Sequence, residues 1–590
     1  MLGRSERWRP AVIVSVVAAL TAPLVWAVLA HPGSAIGDIA LMELRTRDVF
    51  SAHPPLVGAY SRYGWNHPGP LVFYLFALPY RLLGNDADAL RIAALLLNTA
   101  TLVVLAWVVR RRGTAVLVLL MASACALAWG LPPTALADSW NVTIDLLPFM
   151  LTIVACWCAL CDDRWAWLVA AIGFSFVFQT HVGFGVVLAP LFLATAVWLV
   201  VEGRRRDGET RGRDIAIGIA AGLVVALPAL YDAVVHWPGN LGDLAEWSVT
   251  NSEPTVGLAD GLRVIGRTSS LSFPLHARFP NQFVVSIGSI STGVAPGSLL
   301  VLLAVAAVFA IRRRWRAEGV LCGCLALVWI SGTFAAANVT RPLEFWLIEW
   351  LQPLAWLTWA AVALVAWRLL QPAVQRWLSA AHVRTATAVV AAGALAIGTV
   401  AYTRGAASAH EGDTYTGPID ELTRAAATLG AEQPLYFGYD GDPFSAGTMF
   451  LAVANELDKA GFAICVDAAF ANQFGSARVC SGRPDVRLFI RNEPTALPPP
   501  PGATTLTISD PLSPAERIEA DDLTAQLTEV LVRNGLEADV PLLYTPLADL
   551  LVDRSPPSEV EALRADILRL SELRRAPGTR FGLYAVGDGG

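Results

Sequence analysis

Lysine is almost missing from this chain: Lys459 is the only one, so the other basic residues are all arginine. Charge of either sign is scarce. Charged residues make up 16% of the sequence, where a soluble domain carries about 25%. The net charge of −6 is too small and of the wrong sign for a nucleic-acid partner. There is no glycine-rich nucleotide fingerprint, so no nucleotide cofactor is expected. Cys156/Cys158 and Cys322/Cys324 have a spacing that suggests a metal, but no histidine or further cysteine completes either set. Thiols in apolar runs behave as small hydrophobes, so no metal ligands are assigned. No internal repeat is visible, and few ionisable residues fall in mid-span, which argues against a transporter.

What the chain does have is apolar length. The hydrophobic fraction is 55% and the mean hydropathy +0.51. A spanning helix needs about 20 mostly apolar residues. Eleven stretches qualify: 11–30, 88–109, 114–132, 142–160, 165–181, 183–201, 214–232, 297–311, 318–337, 346–367 and 384–402. The 20 tryptophans suit a chain with two membrane interfaces. Arg4, Arg7 and Arg9, then Arg110–Arg112, Arg204–Arg206 and Arg312–Arg314, all fall on one side of these spans. The positive-inside rule makes that side cytoplasmic, with the N-terminus in and the C-terminus out. The first span also resembles a secretory signal ending in Ala27-Val28-Leu29-Ala30; a retained helix is the preferred reading.

The fold expected is an α-helical polytopic membrane protein with about 11 transmembrane helices and a C-terminal extracytoplasmic α/β domain. Residues 1–402 form the membrane domain, with outer loops 31–87 and 233–296, and residues 403–590 form the tail. In the tail, 434–439, 461–466 and 486–490 read as short buried strands, and 445–460, 513–535 and 558–575 as helices. Outside the cytoplasm, Cys465 and Cys480 are able to form a disulfide. Pro498–Pro501 reads as a stiff loop.

Chemistry concentrates where the chain leaves the first span. Asp38 follows Gly37 at a helix start, where a carboxylate caps free amides or stands as an exposed general base. Glu43 and Arg47 are four apart, in the favourable order for an ion pair. His67-Pro68-Gly69-Pro70 then opens 71–83, an apolar segment too short to span and expected to lie along the outer interface.

Asp38…Glu43-Leu44, the His-Pro-x-Pro-Leu segment at 67–71, Tyr74, Tyr80-Arg81-Leu82-Leu83-Gly84 and Ala89-Leu90-Arg91-Ile92 resemble the start of the protein O-mannosyltransferase and aminoarabinose transferase superfamily, the class-C glycosyltransferases of family 39. The resemblance is strong over 31–110, weaker to about 402, and does not reach the tail. It implies an enzyme that moves a sugar from a polyprenyl-phosphate donor to a glycan, lipid or protein acceptor of the cell envelope, at the outer face of the cytoplasmic membrane. The arginine and tryptophan richness suits an actinobacterial envelope pathway. The family's catalytic Asp carries over onto Asp38. Its second acid does not, because Ile39 stands there, so a divalent cation is not indicated and no cofactor is expected.

An acceptor hydroxyl needs a carboxylate to take its proton, and a leaving lipid phosphate needs cationic donors. Arg45, Arg47, Arg62, Arg91 and Arg341 face the outer side. Glu43, Arg45, Arg62, His67, Asp145, His181 and Arg341 are the expected substrate-binding residues. Asp145 lies one turn into a span, where an acid is expensive. Arg341 and Glu344 also have the i,i+3 spacing of a simple pair. Asp440-Gly441-Asp442-Pro443 reads as a turn. The alternatives are a non-catalytic envelope scaffold and a polysaccharide or lipid transporter of the same fold.

Overall fold

The computed structural model describes residues 9–206, 208–273, 285, 287–290, 295–377, 392–393, 395–405, 415–430, 434–482, 486–493, 499, 501–545, 548, 550–553, 556–575 and 579–587. The chain forms two compact units. One comprises Met1–Ala30, Pro55–Pro79 and Arg91–Ser408; the other comprises His31–Pro54, Tyr80–Leu90 and Ala409–Gly590.

The first unit is helical. Among the described residues six helices are long and apolar enough to cross a membrane: Ile13–Ala30, Ala87–Arg112, Thr143–Leu160, Val182–Glu202, Arg316–Ala337 and Leu351–Arg376. Thr114–Gly130 and Ser298–Arg312 are shorter apolar helices, and Arg164–Thr180 is a further helix of 17 residues. The expected continuous span over 214–232 is broken instead: Gly212–Val224 and Leu227–Val235 meet at 63°. Pro228 stands in the first turn of the second piece. A proline has no N–H to donate to the preceding turn and its ring clashes with it, so the helix stops and restarts. The expected span at 346–367 begins at Leu351, after a short 3-10 turn at Phe345–Leu347. Most of the expected span 384–402 lies outside the described residues. At the centre, every residue from Leu146 to Ala159 is buried. That helix packs on Arg164–Thr180, Val182–Arg206, Arg316–Ala337 and Leu351–Trp377. An all-round apolar helix demands this surround. Six cysteines remain free, five of them buried.

The second unit is α/β. Its five strands are β1 (Leu435–Asp440), β2 (Ile464–Cys465), β3 (Val486–Asn492), β4 (Ala503–Ser509) and β5 (Phe581–Gly587), in the order β2-β1-β3-β5-β4. β1 runs parallel to β2 and β3, whereas β5 is antiparallel to β3 and β4. Cys465 and Cys480 form a disulfide. A second layer gathers Leu527, Leu531, Leu543, Ile567 and Leu570 around the helix Pro514–Arg533, whose start is fixed by a Ser513/Glu516 capping box. The expected strands at 434–439, 461–466 and 486–490 correspond to β1, β2 and β3. The Pro498–Pro501 loop falls largely outside the described residues.

The whole of 31–87 was expected to belong with the membrane domain. By contacts, His31–Pro54 and Tyr80–Leu90 belong with the tail. The reason lies in the helix Asp38–Asp48, which buries Ala40, Leu41, Met42, Glu43, Leu44, Thr46 and Asp48. These residues go round the helix, so it needs a packed partner and finds one in the helix Thr448–Lys459.

Candidate active site

The first loop is carried by the second unit. Gly37 is the N-cap of the Asp38 helix and has φ +57°, a conformation that glycine adopts without strain. Asp38 is therefore the first helical residue, half-buried, in the turn whose free amides favour a negative charge. Glu43, one and a half turns on, is fully enclosed. It accepts from Tyr80 Oη at 2.7 Å and Asn455 Nδ2 at 2.7 Å, and pairs with Lys459 Nζ at 3.0 Å. The expected Glu43–Arg47 pair is present at 3.7 Å. Burial, then the Glu43 charge, push the Tyr80 hydroxyl up, so it stays a donor. Arg45 donates to Asp48 at 2.6 Å and to the Phe474 carbonyl at 3.4 Å.

In the first unit the polar groups gather at the loops between helices. The His67 and His181 rings lie 4.6 Å apart. His67 Nδ1 accepts from the Val182 amide at 3.2 Å, which leaves its Nε2 to carry the proton. Burial, then the nearby His181, hold His67 well below the usual histidine range, so it is neutral. Its carbonyl and that of Asn66 accept from Asn240, which also accepts from the Asn66 amide at 2.7 Å. Asn240 is itself held by Asp232, which pairs with His236 at 2.8 Å. Tyr63, Trp65 and Trp247 cluster beside His67, with Trp247 tilted 4.7 Å from Tyr63 and edge-on 5.5 Å from Trp65.

Arg62 pairs with Glu344 and lies over the Tyr63 ring. Burial pushes the Glu344 carboxyl up to about 7, against the pull of Arg62. Arg341 was expected to have Glu344 as its i,i+3 neighbour. It reaches instead to Asp260 at 2.6 Å and to the Thr255 and Val256 carbonyls, because residues 338–344 run as a loop and the helical spacing does not apply.

Asp145 is 0% exposed at the start of the central helix. Neither of its carboxylate oxygens has a hydrogen-bond partner among the described residues. One turn earlier, Asn141 donates to the Thr180 carbonyl, next to His181. Ser139 Oγ, Gln179 Oε1, Thr180 Oγ1, His181 Nδ1 and Glu349 Oε2 are also buried with no hydrogen-bond partner among the described residues. Trp140 closes on Phe345 and Trp346, both 5.9 Å away. Buried carboxylates with free lone pairs are chemically suited to the hydroxyls of a ligand.

The residues expected at the site are Asp38, Glu43, Arg45, Arg62, His67, Asp145, His181 and Arg341. Of these, the structure joins His67 with His181; Glu43 and Arg45 sit on one helix but keep separate partners, Tyr80, Asn455, Lys459 and Arg47 for Glu43, Asp48 and the Phe474 carbonyl for Arg45. Asn240, Asn455, Asp458 and Arg478 escaped the reading. Asn240 has no local signal at all; Arg478 had one, two residues before Cys480.

Residues 66–231 match the family model described as dolichyl-phosphate-mannose-protein mannosyltransferase. No curated protein sequence matches the chain. Among solved structures, ArnT from Cupriavidus metallidurans in the apo state is similar, with 15% identity and a TM-score of 0.47, over 84% of this chain and 94% of that one. The same protein bound to undecaprenyl phosphate gives 16%, 0.48, 85% and 96%. The likeness to the mannosyltransferase family thus lies on residues 66–231, in a chain whose described residues hold six helices long and apolar enough to cross a membrane.

Proposed function

We propose that this protein moves a sugar from a polyprenyl-phosphate donor to an acceptor hydroxyl of the cell envelope, at the outer face of the cytoplasmic membrane, with Asp38 as general base. The observation that carries the reading is the family model, whose description names a lipid-phosphate sugar as donor. In the reaction the acceptor oxygen bonds to the anomeric carbon as its proton passes to Asp38. The bond from that carbon to the phosphate oxygen breaks, and polyprenyl phosphate leaves with the electron pair. Asp38 suits this task as a half-buried carboxylate in a first helical turn.

The other roles follow from each residue's state. Arg62 is the phosphate ligand, because its partner Glu344 is near its own titration point at neutral pH and releases the guanidinium at low cost. Arg45 and Arg341 are held by Asp48 and Asp260. Asp145 accepts from sugar hydroxyls, neutral His67 offers Nε2–H, and His181 offers its unpartnered Nδ1. Tyr63, Trp65 and Trp247 supply flat apolar faces for a sugar ring.

The test is to give membranes containing the full chain a panel of radiolabelled polyprenyl-phosphate hexoses and pentoses. Label moving from lipid to a water-soluble or larger product, with matching release of polyprenyl phosphate, is expected for at least one donor. No release from any donor would remove the glycosyltransferase reading.

A further inference from the structure

The helix that carries Asp38 is gripped along its length by the C-terminal domain. Four observations place the grip. The Cβ position of Gly37 lies 3.1 Å from Thr448 Cγ2. Glu43 accepts from Asn455. Arg47 donates to Asn455 Oδ1 at 2.9 Å and Asp458 Oδ2 at 2.8 Å. Asp48 receives both arms of Arg478, each at 2.8 Å. The first three contacts advance together, 37 to 47 on one helix and 448 to 458 on the other, so the helices lie alongside in parallel.

The charges within this grip are complete. Asp458 is shared between Arg47 and Arg478, and Asp48 between Arg45 and Arg478. Lys459, the chain's one lysine, sits between Glu43 and Glu456. The hydrogen bonds and charge of Asp48, then those of Asp458, overcome burial and push the Arg478 guanidinium up. Two-armed arginine–carboxylate pairs fix orientation as well as distance. Arg478 is itself anchored: its carbonyl accepts from the Val466 amide at 2.9 Å, and Cys480 is bonded to Cys465.

We propose that the C-terminal domain positions the Asp38 helix, with Arg478 and Lys459 as positioning residues, so that the tail sets the rate of transfer without touching the sugar. This rests on the reading of Asp38 as the base. The experiment therefore pairs a structural readout with a kinetic one on the full chain in detergent or membranes. Hydrogen exchange is followed at Ala40–Asp48, and acylation of Lys459 by an amine-reactive reagent is followed by mass spectrometry. The α-amino group is the only other primary amine, so the label reports directly on the Glu43 pocket.

For Arg478→Ala, exchange at Ala40–Asp48 and acylation of Lys459 are expected to rise about tenfold. The kcat is expected to fall at least as far, with donor KM unchanged, and Arg478→Lys should restore most of both. Unchanged exchange overturns the proposal, and so does faster exchange with unchanged kcat. Faster exchange that spreads to β1 and β3 overturns it as well, because the network would then support the whole domain. A wild-type protein that transfers nothing removes the Asp38 reading, while exchange at Ala40–Asp48 still decides whether the tail holds that helix.

Discussion

Glu43 and Asp145 are both fully enclosed carboxylates, one in each unit. Glu43 has Tyr80, Asn455, Lys459 and Arg47 within 3.7 Å, whereas Asp145 has no partner among the described residues. Burying a charged group is costly, and partners offset that cost. Where every lone pair is taken, the carboxylate holds structure together. Where none is taken, the fold bears a cost that, on the function proposed above, sugar hydroxyls would relieve. Arg62 and Arg478 repeat the contrast. Arg478 is locked by two carboxylates, while Arg62 faces Glu344, whose own proton affinity loosens the pair.

The contrast is broken most severely at Glu43. Glu43→Gln removes the buried charge shared by Arg47 and Lys459 and leaves them only Asp458 and Glu456. Breaking a buried pair this way costs about 3 kcal/mol, which should appear as a lower opening free energy in hydrogen exchange over Ala40–Asp48. Asp145→Asn should do the reverse: melting temperature unchanged or raised, with transfer reduced about tenfold as one acceptor of sugar hydroxyls is weakened. If Asp145→Asn melts earlier and transfers normally, the carboxylate is structural after all.

A smaller effect is expected from pH. The Glu344 carboxyl is raised by burial from 4.5 to about 7, despite Arg62. A carboxyl that binds its proton more tightly in the fold contributes stability below its unfolded value, and that contribution is lost as pH rises through 7. Thermal stability should therefore decline between about pH 5 and 7.5, and Glu344→Gln should flatten the decline. Least of all, reducing Cys465–Cys480 should speed Lys459 acylation severalfold by slackening the segment that carries Arg478, leaving the helix Pro514–Arg533 intact.

Much of this was legible in the sequence because it is local. Apolar length marked the spans, and Leu71–Leu83 emerged as the expected short helix. The strands β1 to β3 announced themselves as apolar runs, and the Cys465–Cys480 pair followed from compartment chemistry. What was missed depends on distant partners. β4 is an edge strand, Ala-Thr-Thr-Leu-Thr-Ile-Ser, with one neighbour and little burial, so its pattern is faint. The break before Pro228 follows from a proline in an otherwise spanning run, and prolines at 23 and 190 sit inside helices without breaking them, so composition alone does not decide. The docking of Asp38–Asp48 joins residues more than 400 positions apart, such as Arg47 and Asp458. The reading of Asp38 as a base rests on the family motif, since a carboxylate in a first helical turn is usually a helix-stabilising charge.

The most direct measurement is transfer by Asp38→Asn from the donor that wild-type membranes accept. The amide keeps the shape of the helix start and removes the base. Transfer should fall by about 10²- to 10⁴-fold, with hydrogen exchange at Ala40–Asp48 unchanged. Undiminished transfer would contradict the assignment of Asp38 and, with it, the account of why the tail grips that helix.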